Sequence, residues 1–141
     1  PIFNFRNVKV RLSDTNLTTV YGLTSYNPGS PQTTLPIGVL PTEVSSVILT
    51  IQCANITGNA SLPSPANTAS LVNITAVVTN TVSGTSNFLV QDYPVIPANA
   101  FDPLSGNLVL TANDQLQIQS SVASGVDVIV TLLEIANATG S

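Results

Sequence analysis

NLVLTANDQLQIQSSVASGVDVIVTLLEI, residues 107–135, decides the fold class. Leu108, Val109 and Leu110 run into the turn Ala112-Asn113-Asp114. Leu116 and Ile118 then alternate with Gln115, Gln117 and Gln119, a period of two that gives a strand one apolar and one polar face. Ser124-Gly125 supplies the next turn. After it Val126, Val128, Val130 and Leu132 alternate with Asp127, Ile129, Thr131 and Leu133, so this strand is apolar on nearly both faces. Such a strand lies inside a protein or under a partner, and it is expected at the centre of a sheet. A charge at Val128 is accordingly expected to abolish folding.

The same periodicity recurs upstream. In PIFNFRNVKVRL (1–12), Phe3 and Phe5 alternate with Asn4 and Arg6, then Val8, Val10 and Leu12 with Lys9 and Arg11. Residues 1–7 read as an N-terminal arm leading into a strand. LTTVYGL (17–23), VSSVILTIQCA (44–54), SLVNITAVVTNT (70–81) and NFLVQDYPVI (87–96) read as further strands, with Pro94 and Pro97 confining the last to a sheet edge. Residues 97–106 read as a loop. Pro28, Pro31, Pro36 and Pro41 interrupt 24–43, so neither helix nor ladder persists there. That excursion is either an extended arm anchored on a partner by Leu35, Ile37, Val39 and Leu40, or a crossing over one end of the same domain. About eight strands bounded by turn signals, and no stretch of helical periodicity, predict one all-β domain over 1–141. Its expected form is an antiparallel β-sandwich, jelly-roll-like or Greek key.

Composition narrows the function classes. Only 7% of the 141 residues are charged, against about 25% in an ordinary soluble domain. Hydrophobic residues make up 43%, which excludes a disordered chain, and no apolar run is long enough to span a membrane as a helix. The three bases, Arg6, Lys9 and Arg11, all precede residue 12, and the rest carries seven acids and no base. A body of that sign excludes nucleic-acid binding and anionic lipid as partners. The basic triplet is either a solvated strand face or part of an arm that pairs with an acidic neighbour, such as a second copy. With no Met in the chain, loss of an initiator Met before Pro1 and synthesis in a cytoplasm are the expectations.

Catalytic chemistry is poorly supplied. The chain has no His and one Cys, which removes the Ser-His-Asp and Cys-His arrangements and the commonest metal ligand. Cys53 sits in an apolar strand and reads as core. Asp92, Asp102, Asp114 and Asp127 lie in or near turns but match no calcium-loop spacing. Sequons at Asn16, Asn55, Asn59, Asn73 and Asn137 read as a consequence of composition. The chain is therefore read as no enzyme, with no cofactor and no metal. Charges are depleted where surfaces are buried in interfaces, because a charge removed from water costs several kcal/mol unless paired. A surface this poor in charge reads as that of an assembly subunit.

One stretch adds a resemblance. Tyr93-Pro94-Val95-Ile96-Pro97-Ala98-Asn99, then Leu108-Val109-Leu110, Asn113-Asp114-Gln115-Leu116, Ser120-Ser121 and Val126-Asp127-Val128 through Leu133-Glu134-Ile135 resemble small β-sandwich virion proteins of tailed bacteriophages, particularly marine and cyanobacterial ones. The likeness covers about residues 88–135, with Asn113 where that kind of protein has Gly. It implies a structural component of the virion, made in the host cytoplasm and without an enzymatic site. A capsid cement or decoration protein, trimeric and clamping the major capsid protein or other virion subunits, is the first reading. A neck or tail accessory subunit, or a glycan- or receptor-binding module at a tail or fibre tip, are the alternatives. Phe3, Phe5, Arg6, Lys9 and Arg11 near the N-terminus, with Leu35, Ile37, Val39 and Leu40, are the expected interface residues. Removing residues 1–7 is expected to weaken assembly and leave the fold intact.

Overall fold

The computed structural model describes residues 2–26 and 34–136, and no α-helix occurs among them. Nine strands follow in chain order: β1 (Ile2–Arg11), β2 (Thr18–Gly22), β3 (Val44–Asn55), β4 (Val72–Asn80), β5 (Ser86–Val95), β6 (Ala100–Phe101), β7 (Leu108–Leu110), β8 (Asp114–Ser120) and β9 (Val126–Ala136). One sheet has the order β1-β9-β3-β6, with β7 also on β3, and the other has β2-β8-β4-β5. Every pairing is antiparallel. β6 meets Cys53 and Ala54, while β7 meets Ser46 to Ile48, so the two lie end to end along one edge of β3. Together they fill one strand position. The result is eight positions in two sheets with jelly-roll connectivity. The loop expected at 97–106 is thus interrupted by a short strand at Ala100–Phe101.

β9 is central, between β1 and β3. Its inward residues Val126, Val128, Val130 and Leu132 are fully buried with Ile48, Ile51, Ile74, Leu116 and Ile118, and burying such a side chain stabilises by about 1.5–3 kcal/mol. β7, β8 and β9 are consecutive in sequence but alternate between the sheets. The two turns joining them are therefore arches over the core and not hairpins. Both bend through left-handed backbone, Asn113 at φ 68° and Ser124 at φ 59°, a conformation that Asn tolerates better than most residues. The Asp114 carboxylate fixes the first arch by accepting from Thr111 N at 2.9 Å and from Asn80 Nδ2 at 3.0 Å.

The N-terminal region corrects the arm reading. Ile2 to Arg11 is one strand in unbroken register with β9, from Ile2 opposite Ala136 to Arg11 opposite Asp127. No boundary between arm and strand falls at residue 7. The excursion 24–43 is described at 24–26 and 34–43; Pro28 and Pro31 lie outside the described residues. Leu35 N donates to Thr24 O at 3.3 Å, and Leu35 itself is buried in the core. Pro41–Glu43 makes one 3-10 turn before β3, with the Glu43 carboxylate accepting from Leu40 N at 3.0 Å. Over residues 34–43 the chain thus folds back onto one end of its own sandwich.

Candidate functional site

The register of the first sheet builds an apolar row on its outer face. Phe5 stands opposite Leu133, Leu133 opposite Val47, and Val47 opposite Val109. Residues directly opposite one another in an antiparallel pair share a face, so these four side chains cross β1, β9, β3 and β7 together. Phe3 extends the row beside Ile135. Phe5 is 74% exposed, Phe3 62% and Val109 58%, whereas Leu133, Ile135 and Val47 are half-buried by their neighbours. Toward the other end of the same face the row gives way to Lys9, Arg11, Asp127 and Gln52. This face is the chain's candidate contact surface: apolar at one end, polar at the other, and crossed by the long central strand.

A phase break in β1 places the two rings there. Apolar residues occupy odd positions at Phe3 and Phe5, then even positions at Val8, Val10 and Leu12. Because the strand runs without a bulge, the phenylalanines face outward while Val8 and Leu12 enter the core. Arg6 takes the inward parity. Its Nη1 donates to Glu134 Oε2 at 3.2 Å and to Thr34 O at 3.4 Å, and its guanidinium lies 5.5 Å above the Tyr21 ring. The Tyr21 hydroxyl donates to the same Glu134 oxygen at 2.6 Å. Burial, and then the Glu134 carboxylate, push that hydroxyl far above the ordinary tyrosine range. Ser46, the residue opposite Glu134, is buried within the same group. The group closes one end of the sandwich and ties β1 to β9, β2 and the returning excursion.

Arg6 is thus engaged within the chain by an ion pair. Arg11 is also engaged within the chain: Nε and Nη2 donate to the Asp127 carboxylate at 2.8 and 3.1 Å. Lys9 is exposed and has no ion pair among the described residues. Of the four anchors expected in the excursion, Leu35 is core and Val39 packs against the core, while Ile37 and Leu40 are exposed. The residues that sequence reasoning missed are Leu133, Ile135, Val47 and Val109. The signal for the first two was the double-sided apolarity of β9.

The remaining chemistry-bearing groups are engaged locally. Burial, with the charge of Asp102 adding, pushes the Cys53 thiol up to about 12, so it is not a thiolate at neutral pH. Asp102 accepts from Ile51 N and Leu104 N, and Thr75 Oγ1 donates to Asp92 at 3.5 Å. No group of three or more metal-ligating side chains gathers among the described residues. Asn55, the first residue of a sequon, is buried. Its Nδ2 donates to Ser70 O and Val95 O, both at 2.8 Å, and its Oδ1 accepts from Thr57 N at 3.0 Å and Thr57 Oγ1 at 2.6 Å. Asn137 lies outside the described residues. The rings of Tyr93 on β5 and Phe101 on β6 stack at 3.7 Å and 11°, bridging the edges of the two sheets.

No protein-family model and no curated protein matches the chain. Among solved structures, a chain of the Bacillus endospore appendages, described as a novel family of disulfide-linked pili, aligns with 97% of this chain and 88% of its own length. Identity is 11% and the TM-score 0.47, values at which the likeness carries no functional argument.

Proposed function

We propose that this chain is a non-enzymatic structural subunit of a virion, acting as a capsid cement or decoration protein of a tailed phage. The observation that carries the assembly reading is the apolar row Phe5–Leu133–Val47–Val109 on the outer face of the β1-β9-β3 sheet, with Phe5 and Val109 exposed at its ends. Contiguous apolar surface of this kind marks a protein contact site. It lies on a molecule whose charge is unusually low, and two of its three bases are spent on Glu134 and Asp127. Little charge has to be stripped of water when such a face is covered. The virion assignment rests on the resemblance at residues 88–135. Its partners are then the major capsid protein or other virion subunits. Nucleic acid and anionic lipid are disfavoured by a net charge of −4.

The face can be tested without touching the core. Val47→Glu combined with Val109→Lys replaces one apolar cross-strand pair by an ion pair at the same outer positions. The double variant is expected to melt within a few degrees of the parent and to lose its place on particles assembled in its presence. Undiminished incorporation of a folded double variant would overturn the assignment of this face.

A further inference from the structure

We infer that the free edge of β1 pairs antiparallel with the β1 of a second copy, across a two-fold axis at Asn7. This deepens the assembly reading by naming a partner, and it rests on that reading. Unpaired strand edges are normally blunted by bulges, Pro, shortness or charge. β5 carries two register shifts, Pro94 and the left-handed Asp92; β2 has five residues and a register shift; β6 has two residues. β1 alone is long and regular: 10 residues, no register shift, and no strand on its far side among the described residues.

The hydrogen-bonding parity is also fixed. Leu12 N donates to Val126 O at 3.0 Å. Bonded and non-bonded pairs alternate along an antiparallel ladder, so the even residues of β1 bond to β9. The N–H and C=O groups of Phe3, Phe5, Asn7, Lys9 and Arg11 therefore point to the open edge, and the side chains of these same residues lie on the outer face. Antiparallel pairing centred on Asn7 sets Phe3 against Arg11, Phe5 against Lys9, and Asn7 against its own copy. All five edge residues pair, giving about ten hydrogen bonds. Each ring faces a cation on the same side of the joined sheet, an attractive arrangement, and no two cations meet. The strand is self-complementary: rings at one end, cations at the other. Lys9 and Arg11, the charges that would discourage edge pairing, acquire Phe5 and Phe3 as partners. The contact is isologous and closes at two copies, in place of the trimer that the resemblance implies, and it sets the apolar end of each outer face beside the polar end of the other.

Disulfide trapping on the full chain tests the register. Opposed Cα atoms in a bonded antiparallel pair are about 5.5 Å apart, within the disulfide range. Asn7→Cys is expected to give a covalent dimer within minutes of mild oxidation. Lys9→Cys alone is expected to cross-link at least tenfold more slowly, and an equimolar mixture of Phe5→Cys and Lys9→Cys to give the mixed dimer. Asn7→Pro removes one edge N–H without disturbing the ladder to β9, and is expected to sediment as a monomer where the parent sediments as a dimer. Cross-linking of Asn7→Cys no faster than of Lys9→Cys, or an Asn7→Pro variant that still dimerises, overturns the pairing. Should trapping fail while the chain is incorporated into particles, the pairing alone falls. Should trapping succeed with a chain that is absent from particles, the pairing stands and the virion reading falls.

Discussion

Arg6→Met should cost the fold about 3 kcal/mol, because β1 is held to the sandwich by a nearly buried ion pair. The side chains of Arg6 and Glu134 are 19% and 12% exposed, with 3.2 Å between Nη1 and Oε2. At that separation the gross attraction is about 5 kcal/mol for an effective dielectric of 20, much of it offset by desolvation. Removing one partner of a buried pair costs about 3–5 kcal/mol, since the other charge is left uncompensated. Residual exposure trims that figure, and loss of the guanidinium above Tyr21 adds to it. Glu134→Leu should cost a similar amount, because it also strips the Tyr21 hydroxyl of its acceptor. The double variant should cost clearly less than the sum, with a coupling of at least about 1.5 kcal/mol. Urea unfolding followed by circular dichroism measures all four corners of the cycle. For a urea slope of about 1–3 kcal/mol per molar, each single change moves the midpoint by a molar or more. Single costs below about 0.5 kcal/mol, or strict additivity, would refute the view that β1 is locked by this group.

Removal of residues 1–7 deletes most of β1 together with Arg6, so the truncated chain should show a midpoint lowered by at least as much as Arg6→Met; an unchanged midpoint would restore the arm reading. Asn55→Ala should destabilise by about 4 kcal/mol in the same assay, since four hydrogen bonds at about 1 kcal/mol each are lost at a buried site, and a cost near zero would mean that water replaces the amide. Stability should decline above about pH 9. Cys53 and Tyr21 both hold their protons more tightly when folded, so the unfolded chain ionises first and is favoured as pH rises, by up to about 1.4 kcal/mol per pH unit per group. Midpoints taken from pH 7 to 10.5 should fall, and Cys53→Ala should remove the first part of the decline; a flat profile would contradict the burial of both groups. Val128→Asp places an unpaired charge in the centre of the core and should leave no cooperative transition, whereas a soluble variant with a parental midpoint would show the core to be misplaced.

Most of the fold was legible because strands announce themselves by a period of two. Double-sided apolarity identified β9 as central, and Pro94 marked β5 as an edge. What the period does not encode is the sheet to which a strand belongs. Asn113 and Ser124 fit a tight hairpin as well as an arch, and only packing across the core distinguishes them. β6 was missed because two residues are too few to show alternation. At the contact surface the break in phase between Phe5 and Val8 was visible, yet an arm boundary and a strand with outward rings produce the same pattern; pairing along all of β9 selects the second. Leu35 had no signal, since an apolar residue among prolines carries no period, and its burial depends on the excursion folding back to Thr24. Arg6 and Arg11 appeared as a basic cluster in sequence, but their partners, Glu134 and Asp127, lie more than a hundred residues away.

On the cement reading, this chain is a stoichiometric component of a shell, covered on the outer face of its β1-β9-β3 sheet. Quantitative mass spectrometry of purified particles from the source, with this chain ratioed to the major capsid protein, measures that stoichiometry. A cement protein is expected at one copy per capsid subunit, or one per few. Absence of the chain from the particles would contradict that reading.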